Sequence, residues 1–262
     1  AQYDFAKSLE RISTGLRINR AADDPAGLAI SEKMRAQIRG LRQASRNAQN
    51  AISLLNVADG GLQETHAILH RLREIAVYSA TGTLTPADRK ALQMEFEELV
   101  KAIDDIGGNT QFNTIPLLNG SRDEDNPLLI QVGANAGQNI DIGLGDMQAG
   151  ALGLKCAEGN ILSIESAEDA DKMIGIVDEA ITKVSSQRAY IGAKTRRLEH
   201  TINNLENTAI NLIEAESRIR DADIAEEMMN MVQAQIRMQA ALAMIAQANV
   251  SQQMLLQLLW PN

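Results

Sequence analysis

Two long stretches of the chain repeat apolar residues at alternating steps of three and four, with no proline inside either. In the first, Met34, Ile38, Leu41, Ala48, Ile52, Leu55, Leu62, Leu69 and Ala76 keep the spacing, and Ser45, Asp59, His66 and Arg73 interrupt it. In the second, Ile174, Val177, Ile181, Val184, Ile191, Leu198, Ile202, Leu205, Ala209, Leu212 and Ile219 keep it, with Arg188, Thr195 and Glu216 as the breaks. That period is the seam of a helix packed lengthwise on another helix. At ~1.5 Å per residue, helices over 27–80 and 166–220 would each run about 80 Å. Two seamed helices of equal length, joined by a reversing segment, are expected to pack antiparallel. Gly60-Gly61 is expected to weaken the middle of the first.

Local signals set the ends. Asp23-Asp24-Pro25 offers a side-chain acceptor followed by Pro at the first helical position. Thr85-Pro86-Ala87-Asp88 repeats that device ahead of Leu92, Phe96, Leu99, Ile103 and Ile106, a third helix that Gly107-Gly108 is expected to stop. Ser166 with Asp169 resembles a capping box for the second long helix. Between these, residues 109–160 turn rich in glycine and asparagine. Leu128, Ile130 and Val132 alternate, Gly133 to Gly137 can turn, and Ile140, Ile142 and Leu144 alternate again, which predicts a β-hairpin. The fold class is therefore mainly α: a long antiparallel, coiled-coil-like bundle made from both chain arms, with a small β-hairpin insert in the middle.

Composition narrows the function. Of 262 residues, 45% are hydrophobic but only 3% aromatic, a balance that suits aliphatic helical seams better than a globular enzyme core. A net charge of −9 argues against nucleic-acid binding. Cys156 is the single cysteine, which leaves no intramolecular disulfide and no cysteine metal cluster. Residues 1–19 are charged and amphipathic and do not read as a cleavable secretory leader.

The last segment makes the strongest demand. Asp223 with Glu226 can cap a new helix, and from Ile224 to Trp260 the residues are apolar or amide on nearly every face. Met228, Met231, Val232, Ile236, Met238, Leu242, Ile245, Leu255 and Leu258 spread around the whole circumference. Gln239, Gln247, Asn249, Ser251, Gln252, Gln253 and Gln257 make it too polar to cross a bilayer, so no membrane insertion is expected. A helix apolar all round must be covered all round. Residues 1–19 are too short a local partner, so neighbouring subunits must supply the rest. At ~25 cal/mol per Å², burying even ~1,000 Å² of apolar surface per subunit strongly favours association before its entropy is subtracted. A head-to-tail contact that does not close gives a filament.

Several motifs then resemble one family. The segment from Ser13 to Met34, STGLRINRAADDPAGLAISEKM, is similar to the N-terminal signature of bacterial flagellins. So are Arg46-Asn47-Ala48-Gln49, the run from Leu69 to Val77, and Gln111-Phe112-Asn113; Ala215 to Asp223 and Ala246-Gln247-Ala248-Asn249 resemble its C-terminal motifs. The match covers both arms in the family's order. It implies a structural, non-enzymatic subunit without cofactors, assembling into the flagellar filament, an extracellular structure that is periplasmic in spirochaetes. It implies export without a cleavable signal, and it implies partners: further copies of the chain, an export chaperone, filament cap and junction proteins, and an animal Toll-like receptor of the flagellin-sensing class.

The resemblance also implies a layout. Residues 1–20 with 222–262 would form inner-tube helices, 21–108 with 161–221 the outer-tube bundle, and 109–160 the β-rich insert. Gly15, Arg17, Asn19, Asp23, Arg218, Arg220 and Asp221 would form the spoke between the layers. The receptor motif falls on Arg71, Ile75 and Glu95, with Ile75 in place of the usual leucine. Trp260-Pro261-Asn262 is an atypical ending, and the insert is too short for large outer domains.

Other chemistries are weaker. His66 and His70 stand one turn apart with Glu74 a turn further on, a spacing that can hold a metal, but without an evident third ligand the ordinary helix surface is the favoured reading and no metal site is expected. Neighbouring acids such as Asp104-Asp105 point apart on a helix and read as solvated charge. Cys156 lacks a base in sequence reach. A hook–filament junction protein of the same architecture, or a secreted coiled-coil adhesin, is the alternative reading.

Overall fold

The computed structural model describes residues 2–123, 125–156 and 159–259, with side chains as far as Gln252. The tail Trp260-Pro261-Asn262, and the side chains of Leu255 and Leu258, lie outside the described residues. The elements are α1 (Gln2–Thr14), α2 (Pro25–Ser79), α3 (Pro86–Asn109), β1 (Gln111–Phe112), β2 (Ile115–Pro116), β3 (Leu128–Gln131), β4 (Asn139–Ile142), α4 (Ala149–Leu152), α5 (Ala167–Arg220) and α6 (Ile224–Leu259). The fold is mainly α, as the seams predict. Among the described residues no helix is long and apolar enough to cross a membrane.

The predicted caps are in place. Asp24 Oδ1 accepts from Gly27 N at 2.9 Å, so Pro25 begins α2 where its missing N–H costs nothing. Thr85 and Asp88 close a reciprocal capping box on α3. Ser166 Oγ accepts from Asp169 N at 3.1 Å ahead of α5, and Asp223 Oδ1 accepts from Ala225 N at 2.9 Å ahead of α6.

The chain divides into two compact units, Gly40–Asn207 and Ala1–Arg39 with Thr208–Asn262; α2 and α5 supply residues to both. In the unit Gly40–Asn207, one core runs through α2 (Leu55, Leu62, Leu69, Leu72), α3 (Phe96, Val100, Ile103), α5 (Val177, Val184, Leu198) and the insert (Leu118, Ile142, Leu144, Leu152). Arg188 Nε meets Asp59 Oδ1 at 2.8 Å and Arg73 Nε meets Asp178 Oδ1 at 2.6 Å, so residue numbers rise on α2 as they fall on α5: the helices are antiparallel.

The insert carries the expected hairpin, β3 with β4, pairing Leu128 with Ile142 and Ile130 with Ile140. It also carries a second one. β1 and β2 pair through a turn at Asn113 and Thr114, whose φ values of 48° and 63° lie in the left-handed region.

The glycine pairs also serve packing. α2 is unbroken through Gly60-Gly61. A methyl group on Gly61 would sit 2.9 Å from Thr110 Oγ1 and 3.1 Å from Leu118 Cδ1, so the missing side chain admits the insert against the helix. α3 ends at Asn109, one residue past Gly107-Gly108. A methyl group on Gly107 would meet Gln148 Cγ at 2.9 Å, so that glycine also permits a close approach.

Candidate self-association surface

The second unit, Ala1–Arg39 with Thr208–Asn262, holds α1 and α6. α1 packs antiparallel on the start of α6, with Ser8, Glu227 and Ala234 buried and Arg11 Nη1 bonded to Glu227 Oε1 at 2.6 Å. The lengths then set what is covered. α1 has 13 residues and α6 has 36, so at ~1.5 Å per residue about 20 Å of helix is offered to about 54 Å.

What remains is apolar and open. Val232, Ile236, Leu242 and Ile245 are 46%, 60%, 61% and 58% exposed, and Met228 is also exposed, while Met231 and Met238 are half-buried. From Gln239 to Gln252 every residue is exposed, and Arg237 is the last charged side chain. Isolated exposed hydrophobics are ordinary; a contiguous uncharged apolar helix is a candidate association surface. Met229 and Met244 belong to it as well, as do Tyr3 and Leu9 on α1. The α1 pair escaped sequence reasoning because α1 was read only as a cover for α6, not as a face of its own.

The segments joining these helices to α2 and α5 run side by side. Gly15 takes φ 71°, its N–H donating to Arg11 O at 2.8 Å and its carbonyl accepting from Ala222 N at 2.9 Å. Only glycine adopts that backbone without strain. Leu16 forms an antiparallel bridge with Asp221, Arg17 N donates to Arg220 O at 2.7 Å, and the Arg17 guanidinium donates to Ile219 O. Asp23 accepts from Asn19 N and Arg20 N and pairs with Lys7 at 2.9 Å. The Lys7 hydrogen bond, then the Arg20 amide, draw the Asp23 carboxyl down to about 2. Arg220 pairs with Glu32 at 2.5 Å, and Arg35 with Glu216 at 2.8 Å. Gly15, Arg17, Arg220 and Asp221 thus meet at the crossing, and Asn19 and Asp23 build the turn beside it. Arg218 stands apart: it is exposed and, among the described residues, pairs along its own helix with Glu214.

The three residues assigned to receptor contact do not share a surface. Arg71 is exposed, holding Glu95 at 2.8 Å across to α3 and Glu74 at 3.0 Å along α2. Ile75 is 2% exposed and sits in the core. It faces inward on α2 beside Leu72 and Ala76, and its assignment as a contact is corrected to packing.

His66 and His70 face each other with Nε2 atoms 3.0 Å apart. Burial, then the neighbouring His70 and Arg188, push the His66 imidazole below its ordinary value. Among the described residues no group of three His, Cys, Asp or Glu side chains converges on a metal position.

Residues 1–123 match the bacterial flagellin N-terminal helical region, and residues 174–259 match the bacterial flagellin C-terminal helical region. The chain is 48% identical over 279 residues to the flagellin of Bacillus subtilis, covering 97% of this chain and 92% of that protein. It is 46% identical over 263 residues to the flagellar filament core protein flaB2 of Brachyspira hyodysenteriae, covering 98% and 92%. The crystal structure of Bacillus cereus flagellin superposes with a TM-score of 0.52 at 29% identity, over 61% of this chain and 88% of that one.

Proposed function

The chain belongs to the bacterial flagellin family and is a structural subunit of the flagellar filament, and from that premise we propose that it polymerises through the uncovered apolar faces of α6, with α1 as companion. The observation that carries this reading is the open, uncharged run from Gln239 to Gln252. Met228, Val232, Ile236, Leu242 and Ile245 are its contacts with other copies, joined by Met231 and Met238 and, further along, Leu255 and Leu258. Residues 1–20 and 222–262 form the inner layer of the filament, 21–108 and 161–221 the outer layer, and 109–160 the insert. The Leu16–Asp221 bridge and its flanking hydrogen bonds are the spoke between them.

Filament proteins resemble this chain over almost its whole length, so the junction-protein and adhesin readings are not favoured. The location is flagellar, outside the cell or periplasmic. The apolar helix calls for an export chaperone to hold it before assembly, and the filament for cap and junction proteins at its ends. The exposed Arg71 with Glu95 is the surface a flagellin-sensing Toll-like receptor would read.

Seeded polymerisation followed by sedimentation tests the assembly surface. A Val232→Asp, Ile236→Asp double variant keeps its monomer helicity, because both positions are exposed, and stays in the supernatant when seeded. Pelleting at the rate of the unaltered chain would remove α6 from the interface.

A further inference from the structure

His66 and His70 lie on α2, one helical turn apart, and neither takes part in the assembly surface or the spoke. Their Nε2 atoms are 3.0 Å apart, with the rings edge to face at 87° and centroids 4.5 Å apart. Two imidazole nitrogens that distance apart, each about 2.0–2.1 Å from a common ion, would subtend roughly 95° at it. The present separation is that of a ring-to-ring hydrogen bond, so both rings turn to bring their Nε2 atoms to one ion; among divalent first-row ions, imidazole ligands hold nickel and copper tightly.

We propose that His66 and His70 form a two-histidine chelate for a divalent transition ion of the nickel or copper type, with water in the remaining positions. The surroundings agree with an open site of this kind. His70 is exposed and His66 half-buried, so an ion arrives from solvent without displacing packed side chains. With no third protein ligand among the described residues, the ion keeps its other positions for water or a small exogenous ligand. Arg188 on α5 faces His66, but its charge is already held by Asp59 at 2.8 Å. Glu74, a turn beyond His70, is held by Arg71 at 3.0 Å.

The proton balance closes within the rings. In the neutral pair one Nε2 carries the proton that the other accepts. On binding, that ring moves its proton to Nδ1, both Nε2 lone pairs turn to the ion, and no net proton is released. With an ion on its Nε2, His66 carries its proton on Nδ1, which is buried with no hydrogen-bond partner among the described residues, so His66 is the weaker of the two ligands and the exposed His70 the stronger.

Calorimetric titration of Ni²⁺ alone into the full chain tests the site. One ion binds per chain, and His66→Gln or His70→Gln each weakens binding by about a hundredfold, the loss expected when a linked second contact is removed. His200→Gln, which alters the third histidine of the chain, leaves binding unchanged. A second measurement needs no variant: carbethoxylation of the native chain, mapped by mass spectrometry, slows at His66 and His70 when Ni²⁺ is added and is unchanged at His200. Absence of one-to-one binding, binding that survives either glutamine substitution, or equal modification with and without Ni²⁺ overturns the proposal.

Discussion

Asp23 gathers the Lys7 ammonium and the amides of Asn19 and Arg20 around one carboxylate, and this lowers its proton affinity to about 2. Because the folded value lies below the ordinary value of about 4, the carboxylate stabilises the folded chain fully above that range and loses its effect as pH falls toward 2. Asp23→Asn is therefore expected to lower the melting temperature at neutral pH, with the difference from the unaltered protein vanishing by about pH 2. Thermal unfolding across that window checks it; a difference independent of pH would show that the turn does not depend on the charge. The interruptions of the heptad seams tell a related story. Asp59 on the first seam pairs with Arg188 on the second, Arg73 pairs with Asp178, and Glu216 pairs with Arg35. As solvent-reaching ion pairs they add little stability, but each one favours a single sliding position of one helix along the other.

At the scale of elements, α2 shows what two neighbouring glycines can do in opposite senses. Gly60 has open space where a methyl would go, so Gly60→Ala is expected to gain up to about 1 kcal/mol from helix propensity. Gly61 has Thr110 and Leu118 against it, so Gly61→Ala is expected to lose about 1–3 kcal/mol through overpacking, more than propensity returns. Chemical denaturation of the two variants decides, and stabilisation by both would mean that the insert yields freely. The same contrast explains what could be read from the chain beforehand. The helix starts were legible because Asp24-Pro25, Thr85-Pro86 and Ser166 act on their own neighbours. The β3–β4 hairpin was legible from its alternation, and the open surface of α6 from apolar residues on every side. The packing role of Gly61 and Gly107 was not legible because it lies with Leu118 and Gln148, far off in sequence. The ion-pair partners of the seam breaks were hidden for the same reason, since they depend on a register set by the whole bundle. Ile75 was carried over by motif, although its place beside Leu72 and Ala76 marks it as an inward position. β1 and β2 are two residues each and turn through Asn113-Thr114 without glycine, too little pattern to register.

For the whole molecule, stability is divided unevenly between the two units. The continuous core belongs to Gly40–Asn207, whereas from Gln239 to Gln252 α6 buries no side chain and that stretch rests on helix propensity alone. Limited trypsin digestion of the monomer is expected to cut first at the exposed Arg237 and to leave a resistant fragment containing residues 40–207, identified by mass spectrometry. Cleavage within 40–207 as fast as at Arg237 would contradict that division. The contact of Arg11 with Glu227 spans 216 positions of chain, and the hydrogen bond from Arg17 to Ile219 spans 202. Ring closures of that size come late, because neither side has anything to grip until its counterpart has been made and has emerged. A chain delivered head first must thus hand over its entire length before its sticky end can mature, a built-in delay that holds back premature aggregation while the remainder is still in transit.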